Sequence, residues 1–483
     1  MNYGIIIYIL GWVILLTGSF MVLPCICATV YQENQGICYA IVAASCLLVG
    51  FLLTRKKPKN QQFFAKEGLL MVGSAWIVMS MIAALPLTLC GDIPFYVDAL
   101  FETVSGFTTT GASILTDVEA LTHCSLLWRS FTHWIGGMGV FVFLLAVLPM
   151  VGGYNMHIMR AESPGPSVGK LVPKVKDTAK ILYLIYFGLT MLMMILLVIA
   201  RMPVFDAICT AVGTAGTGGF GIRGDSMASY SPTIQWIVTI FMVLFGVNFN
   251  FYFFLLLGKG RHKKNAFKME EVRWYIGLFL LASVVIAFNI RSMMGSFSES
   301  FRHSSFQVAT VMTTTGFATA DFDLWPTLSK VILVMYMFLG ACAGSTGGGI
   351  KVSRIILVFK IVRQEIRSYI HPRNVKAITL DGKPVDKGTL RGVSVYLCTF
   401  FVLFMGSLLL ISLDGYSFTT SFTAVTATIN NIGPGLEMVG PVGNYASFSI
   451  LSKFVMMFCM LAGRLELYPL LVLFAPRMWK KNA

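Results

Sequence analysis

The sequence predicts an all-α polytopic membrane protein, with ten transmembrane spans and four re-entrant pore helices in pseudo-fourfold helix-pore-helix repeats around one pore. Three observations carry that expectation. Of the 483 residues, 56% are hydrophobic and only 12% are charged, about half the charge of a soluble domain. Ten segments each offer the roughly 20 apolar residues that a helix needs to cross a bilayer. Between them lie four shorter, mildly apolar segments, each closed by a turn rich in Thr and Gly or in Asn and Gly.

The ten segments fall near residues 4 to 30, 37 to 54, 68 to 90, 125 to 150, 181 to 202, 233 to 258, 273 to 292, 327 to 362, 391 to 412 and 447 to 476. The first has no basic flank on its N-terminal side and is too long for the core of a cleaved leader, so it is expected to remain as a span. An even number of spans puts both termini on one side. With that side cytoplasmic, its loops and tail hold 29 of the 37 Lys and Arg residues, as the positive-inside rule requires. Basic loops at the inner leaflet account for the formal charge of +15 without nucleic acid as a partner. The ten cysteines are scattered through apolar stretches with no CxxC pair, which points to neither a disulfide framework nor a zinc site.

After the first two spans the chain repeats itself. Four short segments can be superimposed: Asp98 to Ser113, Asp206 to Gly221, His303 to Ala318 and Thr420 to Gly435. Glycines 111, 219, 316 and 433 recur within them at intervals of 108, 97 and 117 residues, so one helix, re-entrant segment, helix unit is used four times. The expected divisions are an extra two-helix domain at 1–66, then repeats at 67–170, 171–268, 269–385 and 386–483.

Non-helical backbone at membrane depth survives only where protein or a water-filled cavity satisfies its polar groups. Four such turns at one depth are therefore expected to converge on an aqueous axis. Their small residues let carbonyl oxygens replace the hydration shell of a cation. The expected filter is Thr109, Thr110 and Gly111; Thr217, Gly218 and Gly219; Thr314, Thr315 and Gly316; and Asn431, Ile432 and Gly433, with a cation held by their backbone carbonyls. Asp98, Asp206 and Glu299 lie near the starts of three short helices, where a carboxylate favours the N-terminal dipole and leaves the C-terminal end to favour a cation.

The eighth span is interrupted by Gly344, Ser345, Thr346, Gly347, Gly348, Gly349, Ile350 and Lys351. Three consecutive glycines cost a helix roughly 1 kcal/mol each, so a break is expected. The run lacks the spacing of a phosphate-binding loop, and the segment before it reads as helix. Arg464 lies about 12 residues, roughly 18 Å, from the end of the last apolar run, too deep to snorkel. Glu466 does not share its face, which leaves carbonyls freed by the broken eighth helix, or a carboxylate on another span, as its partner. Asn248 and Asn250 are expected to bond between helices, and the six histidines carry no site.

These residues resemble the Trk/Ktr/HKT superfamily of potassium transporters, and within it the bacterial TrkH type. The resemblance covers nearly the whole chain, including Asn430-Asn431-Ile432-Gly433-Pro434-Gly435 and Gly463-Arg464-Leu465-Glu466. It implies a homodimer in the bacterial inner membrane, selectivity for potassium and rubidium, and a cytoplasmic nucleotide-binding regulatory subunit (TrkA-like). It also marks residues 344–349 as an intramembrane loop that obstructs the pore when closed, with Lys351 and Arg464 beside it. The regulator is expected to dock on the connection from about 362 to 391 and on the loops at 152–180 and 258–273. The second turn departs from the family pattern, because Gly218 stands where a bulkier apolar residue is common. The rival functions are a proton- or sodium-coupled symporter, which would need an ionisable relay that the spans scarcely offer beyond Arg464 and Glu466, and a membrane enzyme, which lacks a cluster of catalytic residue types.

Overall fold

The computed structural model describes residues 2–58, 65–139, 175–256, 263, 266–371 and 377–476. An N-terminal hairpin comes first: α1 (Tyr3–Phe20) and α2 (Val22–Tyr31) run on as one rod, and α3 (Gly36–Thr54) packs back along it. Four similar units follow. The first contains α4 (Ala65–Leu89), α5 (Tyr96–Phe107) and α6 (His123–Met138). The second is built from α7 (Val175–Ile199), α8 (Val204–Gly216), α9 (Pro232–Phe245) and α10 (Phe249–Leu256). The third has α11 (Glu270–Asn289), α12 (Phe297–Met312), α13 (Thr327–Met337) and α14 (Val352–Ile370). A two-stranded hairpin, β1 (Thr379–Leu380) and β2 (Lys383–Pro384), leads into the fourth, with α15 (Lys387–Ile411), α16 (Phe418–Ile429), α17 (Ile450–Arg464) and α18 (Tyr468–Leu471).

The short helices α5, α8, α12 and α16 form the centre, and the long helices keep exposed apolar faces such as Leu184, Ile195, Phe401 and Leu409. One hydrophobic core joins the N-terminal hairpin to the first and fourth units, and a second joins the second and third. Carboxylates occupy the first turns of α5, α8 and α12, at Asp98, Asp206 and Glu299. At α12 and α16 a serine accepts the free amide three residues on, Ser296 from Glu299 and Ser417 from Thr420, which supplies a partner the helix itself cannot.

Among the described residues, six helices are long and apolar enough to cross a membrane: Tyr3–Tyr31, Gly36–Thr54, Glu67–Leu89, Asp177–Ile199, Glu270–Asn289 and Lys387–Asp414. The four return helices behave differently. The break expected in the eighth span is present, between Met337 and Val352. Segment 233 to 258 is not one straight helix, because α9 and α10 meet at 91°. There the Gly246 carbonyl accepts the Cys342 amide and the Phe249 amide donates to Gly344 O, both 3.0 Å, so backbone of the third unit inserts into the second. Segment 447 to 476 also stops, at Arg464, where Glu466 and Leu467 take positive φ and the Leu467 amide closes the helix on Ala462 O. Of segment 125 to 150 the helix runs to Met138; residues 140–174, residues 257–262 and 264–265 at the loop 258–273, and the tail from 477 lie outside the described residues.

Candidate functional site

Each short helix ends in the same way. Its last turn is followed by a residue in the left-handed region, Thr109, Thr217, Thr314 or Asn431, with φ of 56°, 56°, 57° and 57°. The next amide reaches back five residues: Thr110 to Ser105 O, Gly218 to Gly213 O, Thr315 to Thr310 O and Ile432 to Ala427 O, at 2.8–3.0 Å. This is the helix-ending motif that usually places glycine at the left-handed position. A residue with a Cβ there costs about 1–2 kcal/mol, and the turn repeats it four times. Two residues on, Gly111, Gly219, Gly316 and Gly433 also have positive φ, from 76° to 93°.

Those four glycines close a ring. A Cβ added to Gly111 would lie 2.1 Å from Gly218 O, one on Gly219 would lie 1.9 Å from Thr315 O, one on Gly316 would lie 2.3 Å from Ile432 O, and one on Gly433 would lie 2.7 Å from Thr110 O. Each turn thus presses its glycine on the carbonyl before the next turn's glycine, in the order first, second, third, fourth and back to first. All four glycines line one pocket, together with Arg129, Arg223, Asn444 and Tyr445. The expected filter residues are brought together as a set, and all but the partly exposed Gly111 and Gly316 are buried.

Side chains behind the ring hold it. Asn431 Nδ2 donates to Thr110 Oγ1 (3.0 Å) and to Met460 O (2.8 Å), tying the fourth turn to the first and to α17. The Tyr445 hydroxyl donates to Gly433 O at 2.6 Å. Hydroxyl pairs Thr108–Thr110 and Thr313–Thr315 stand at 2.8 and 2.7 Å. His133, a histidine given no site from the sequence, bridges two units: Nδ1 lies 2.8 Å from Gly106 O, and Nε2 accepts the Phe220 amide at 3.3 Å. Those two partners require the proton on Nδ1. Its signal in the sequence is position alone, one turn before Gly136-Gly137 on a return helix.

The spans also hold more ionisable groups than the sequence led us to expect. Glu102 and Arg129 form a fully buried pair at 2.6 Å, with Arg129 4.2 Å above the Phe220 ring. Lys453 meets Asp98 at 2.6 Å. Both basic residues fall within expected apolar segments, and their carboxylate partners, distant in sequence, offset the cost of burying them.

The glycine-rich loop lies against the third and fourth turns. The Gly348 amide donates to Thr314 Oγ1 at 2.7 Å, and a Cβ on Gly348 would stand 2.8 Å from Asn431 Cβ and 2.9 Å from Asn430 O. Gly347 is held as closely, 2.9 Å from Thr313 O by the same measure. Lys351 folds back to donate to Gly347 O and to Gly348 O, the latter at 3.2 Å, and Ser345 Oγ donates to Cys342 O. Gly344 carries positive φ, as does Gly349. Arg464 takes one carbonyl of the broken eighth helix, with Nη1 donating to Thr346 O at 2.7 Å, and two of α6 that were not expected, with Nη2 donating to Gly137 O at 2.7 Å and to Gly136 O. Glu466 pairs instead with Arg354, whose guanidinium also sits 4.0 Å over the Tyr396 ring. Asn248 bonds between helices at 3.5 Å to Glu271 and also caps its own bend by accepting the Asn250 amide. Glu271 itself was not foreseen.

The fold and the ring define an all-helical integral membrane protein whose repeats close four backbone turns on one pocket. The model of the family described as "TrkH: Cation transport protein" matches residues 33–481, and the chain belongs to that family. It is 35% identical over the full length of both chains to the Trk system potassium uptake protein TrkH of Salmonella typhimurium. It is also 33% identical to the Trk system potassium uptake protein TrkG of Escherichia coli, over 99% of this chain and 98% of that one. The crystal structure of the potassium transporter TrkH from Vibrio parahaemolyticus superimposes with a TM-score of 0.88 at 30% identity, covering 99% of this chain and 100% of that one.

Proposed function

We propose that this chain is the potassium-conducting subunit of a Trk uptake system, passing K+ through the ring of four turns under the control of loop 344–349. The observation that carries the reading is the cycle in which one backbone carbonyl of each turn lies against a glycine of the neighbouring turn, with all four glycines lining one pocket; backbone oxygens gathered in this way can replace the hydration shell of a cation. Thr109, Thr110 and Gly111, with their counterparts in the other three turns, form the filter. Gly344 to Gly349, Lys351 and Arg464 form the gate, because the loop packs on Thr313, Thr314 and Asn431 and is held in place by the guanidinium.

In this reading the chain crosses the inner membrane ten times with both termini in the cytoplasm, four short helices enter without crossing, and the divisions fall near 66, 170, 268 and 385. It works as a homodimer with a TrkA-like cytoplasmic regulator, which docks on the basic cytoplasmic segments. The protein in liposomes should pass K+ down its electrochemical gradient with neither a pH nor a sodium gradient present. Flux that needs either gradient would favour a symporter.

A further inference from the structure

Loop 344–349 is a break in a helix: the end of the first half leaves carbonyls, and the start of the second half leaves amides, without helical partners, and the amides of the non-helical chain between them need partners too. At this break one carboxylate serves both ends. Glu271, in the first turn of α11, is buried at 6% exposure. Its Oε1 accepts the Ala343 amide at 2.7 Å, immediately before Gly344, and the Ser353 amide at 3.1 Å, in the first turn of α14. Its Oε2 is 3.5 Å from Nδ2 of Asn248, at the bend of the second unit. An ionised carboxylate at a helix N-terminus also meets the positive end of its dipole.

The neighbouring residue faces the other way. Glu270 pairs with Lys360 of α14 at 2.7 Å, and its amide donates to Asp381 Oδ1 at 2.6 Å, at the tip of the β1–β2 hairpin. Lys360 Nζ also donates to the Thr379 carbonyl at 2.7 Å. Two adjacent glutamates therefore connect the hairpin that follows α14 to both ends of the loop.

Resting on the proposed gate, we propose that Glu271 is the latch of the closed loop, a positioning residue whose hydrogen bonds to Ala343 and Ser353 must break for residues 344–349 to leave the ring, and that the hairpin acts on it through Glu270. A loop can move only if its bonds differ between the two states, and these are side-chain bonds that join its two ends.

The test uses the full chain in liposomes, with Glu271→Ala and the isosteric Glu271→Gln. Removing the latch should raise regulator-free K+ flux about tenfold in the alanine variant and less in the glutamine variant, with K+/Na+ competition unchanged. Site-resolved thiol labelling gives a second readout: Cys342, buried beside the loop, should become reactive, while Cys459, buried in α17, stays protected. Parental flux and parental Cys342 labelling in variants that protect Cys459 would overturn the latch. So would equal gains at Cys342 and Cys459 in both variants, which would mark a structural clamp. Absence of K+ flux from the parent would count against the proposed function instead, while Cys342 labelling would still decide the latch.

Discussion

His133 and Gly218 share one space: a Cβ on Gly218 would fall 2.0 Å from Cγ of the His133 ring. The small residue that sets the second turn apart is therefore matched by a large one on the neighbouring unit, and the imidazole, packed at a tilt with its centre 4.2 Å from that of the Phe220 ring, supplies the buttress.

Gly218→Ala should lower K+ selectivity over Na+ several-fold, because the buried ring cannot withdraw without losing its bonds to Gly106 and Phe220. His133→Ala opens a cavity and strands the Phe220 amide, a loss of about 3–5 kcal/mol by analogy with large-to-small core changes. The double variant should regain part of the selectivity that Gly218→Ala loses. Ion competition in liposomes with thermal melts checks this; additive losses would separate the two residues.

Arg464 joins the loop to α6 through the carbonyls of Thr346, Gly136 and Gly137. Arg464→Ala should raise regulator-free flux in a folded protein. Arg464→Lys should not restore control, because a compact ammonium cannot reproduce the planar fork. If flux per folded molecule stays parental, the residue is an interhelical clamp only.

Glu33 holds the start of α6, accepting the amides of His123 and Cys124 at 2.7 and 3.0 Å. Burial alone would raise its pKa, but those amides and the His123 side chain outweigh it and hold the carboxyl below its ordinary value of 4.5. A depressed carboxylate contributes stability above the unfolded pKa and loses it as pH falls through the folded one. Glu33→Gln should accordingly lower the melting temperature at pH 7, and the gap should close as the pH drops below 4.5. A gap that stays constant to pH 3 would rule the linkage out.

Much of this was legible in the sequence because repetition reports itself: four turns with glycine at one register predict a ring, and three glycines in a row predict the break at 344–349. What stayed hidden depends on pairs far apart in the chain. Arg129 reads as a lone charge near the start of an apolar segment until Glu102 is placed beside it, and Glu271 reads as an ordinary carboxylate at a helix start until the break folds over it. The 91° bend after Phe245 is invisible to hydropathy, since α9 and α10 are both apolar and the partner that fills the bend is backbone around Cys342 and Gly344. The end of α17 at Arg464 is hidden in the same way, because apolar residues continue to Phe474.

Selection of the ion by the ring of glycines and carbonyls is read from competition among K+, Rb+ and Na+ for flux through Gly316→Ser and Gly433→Ser in liposomes. Each substitution puts a Cβ within 2.3 or 2.7 Å of the neighbouring turn's carbonyl, at a backbone angle that side chains rarely adopt. Discrimination against Na+ should fall about tenfold or more in both, with K+ and Rb+ still close to one another. Parental competition in both variants, shown to be folded, would contradict selection by the ring and remove the four turns from the filter.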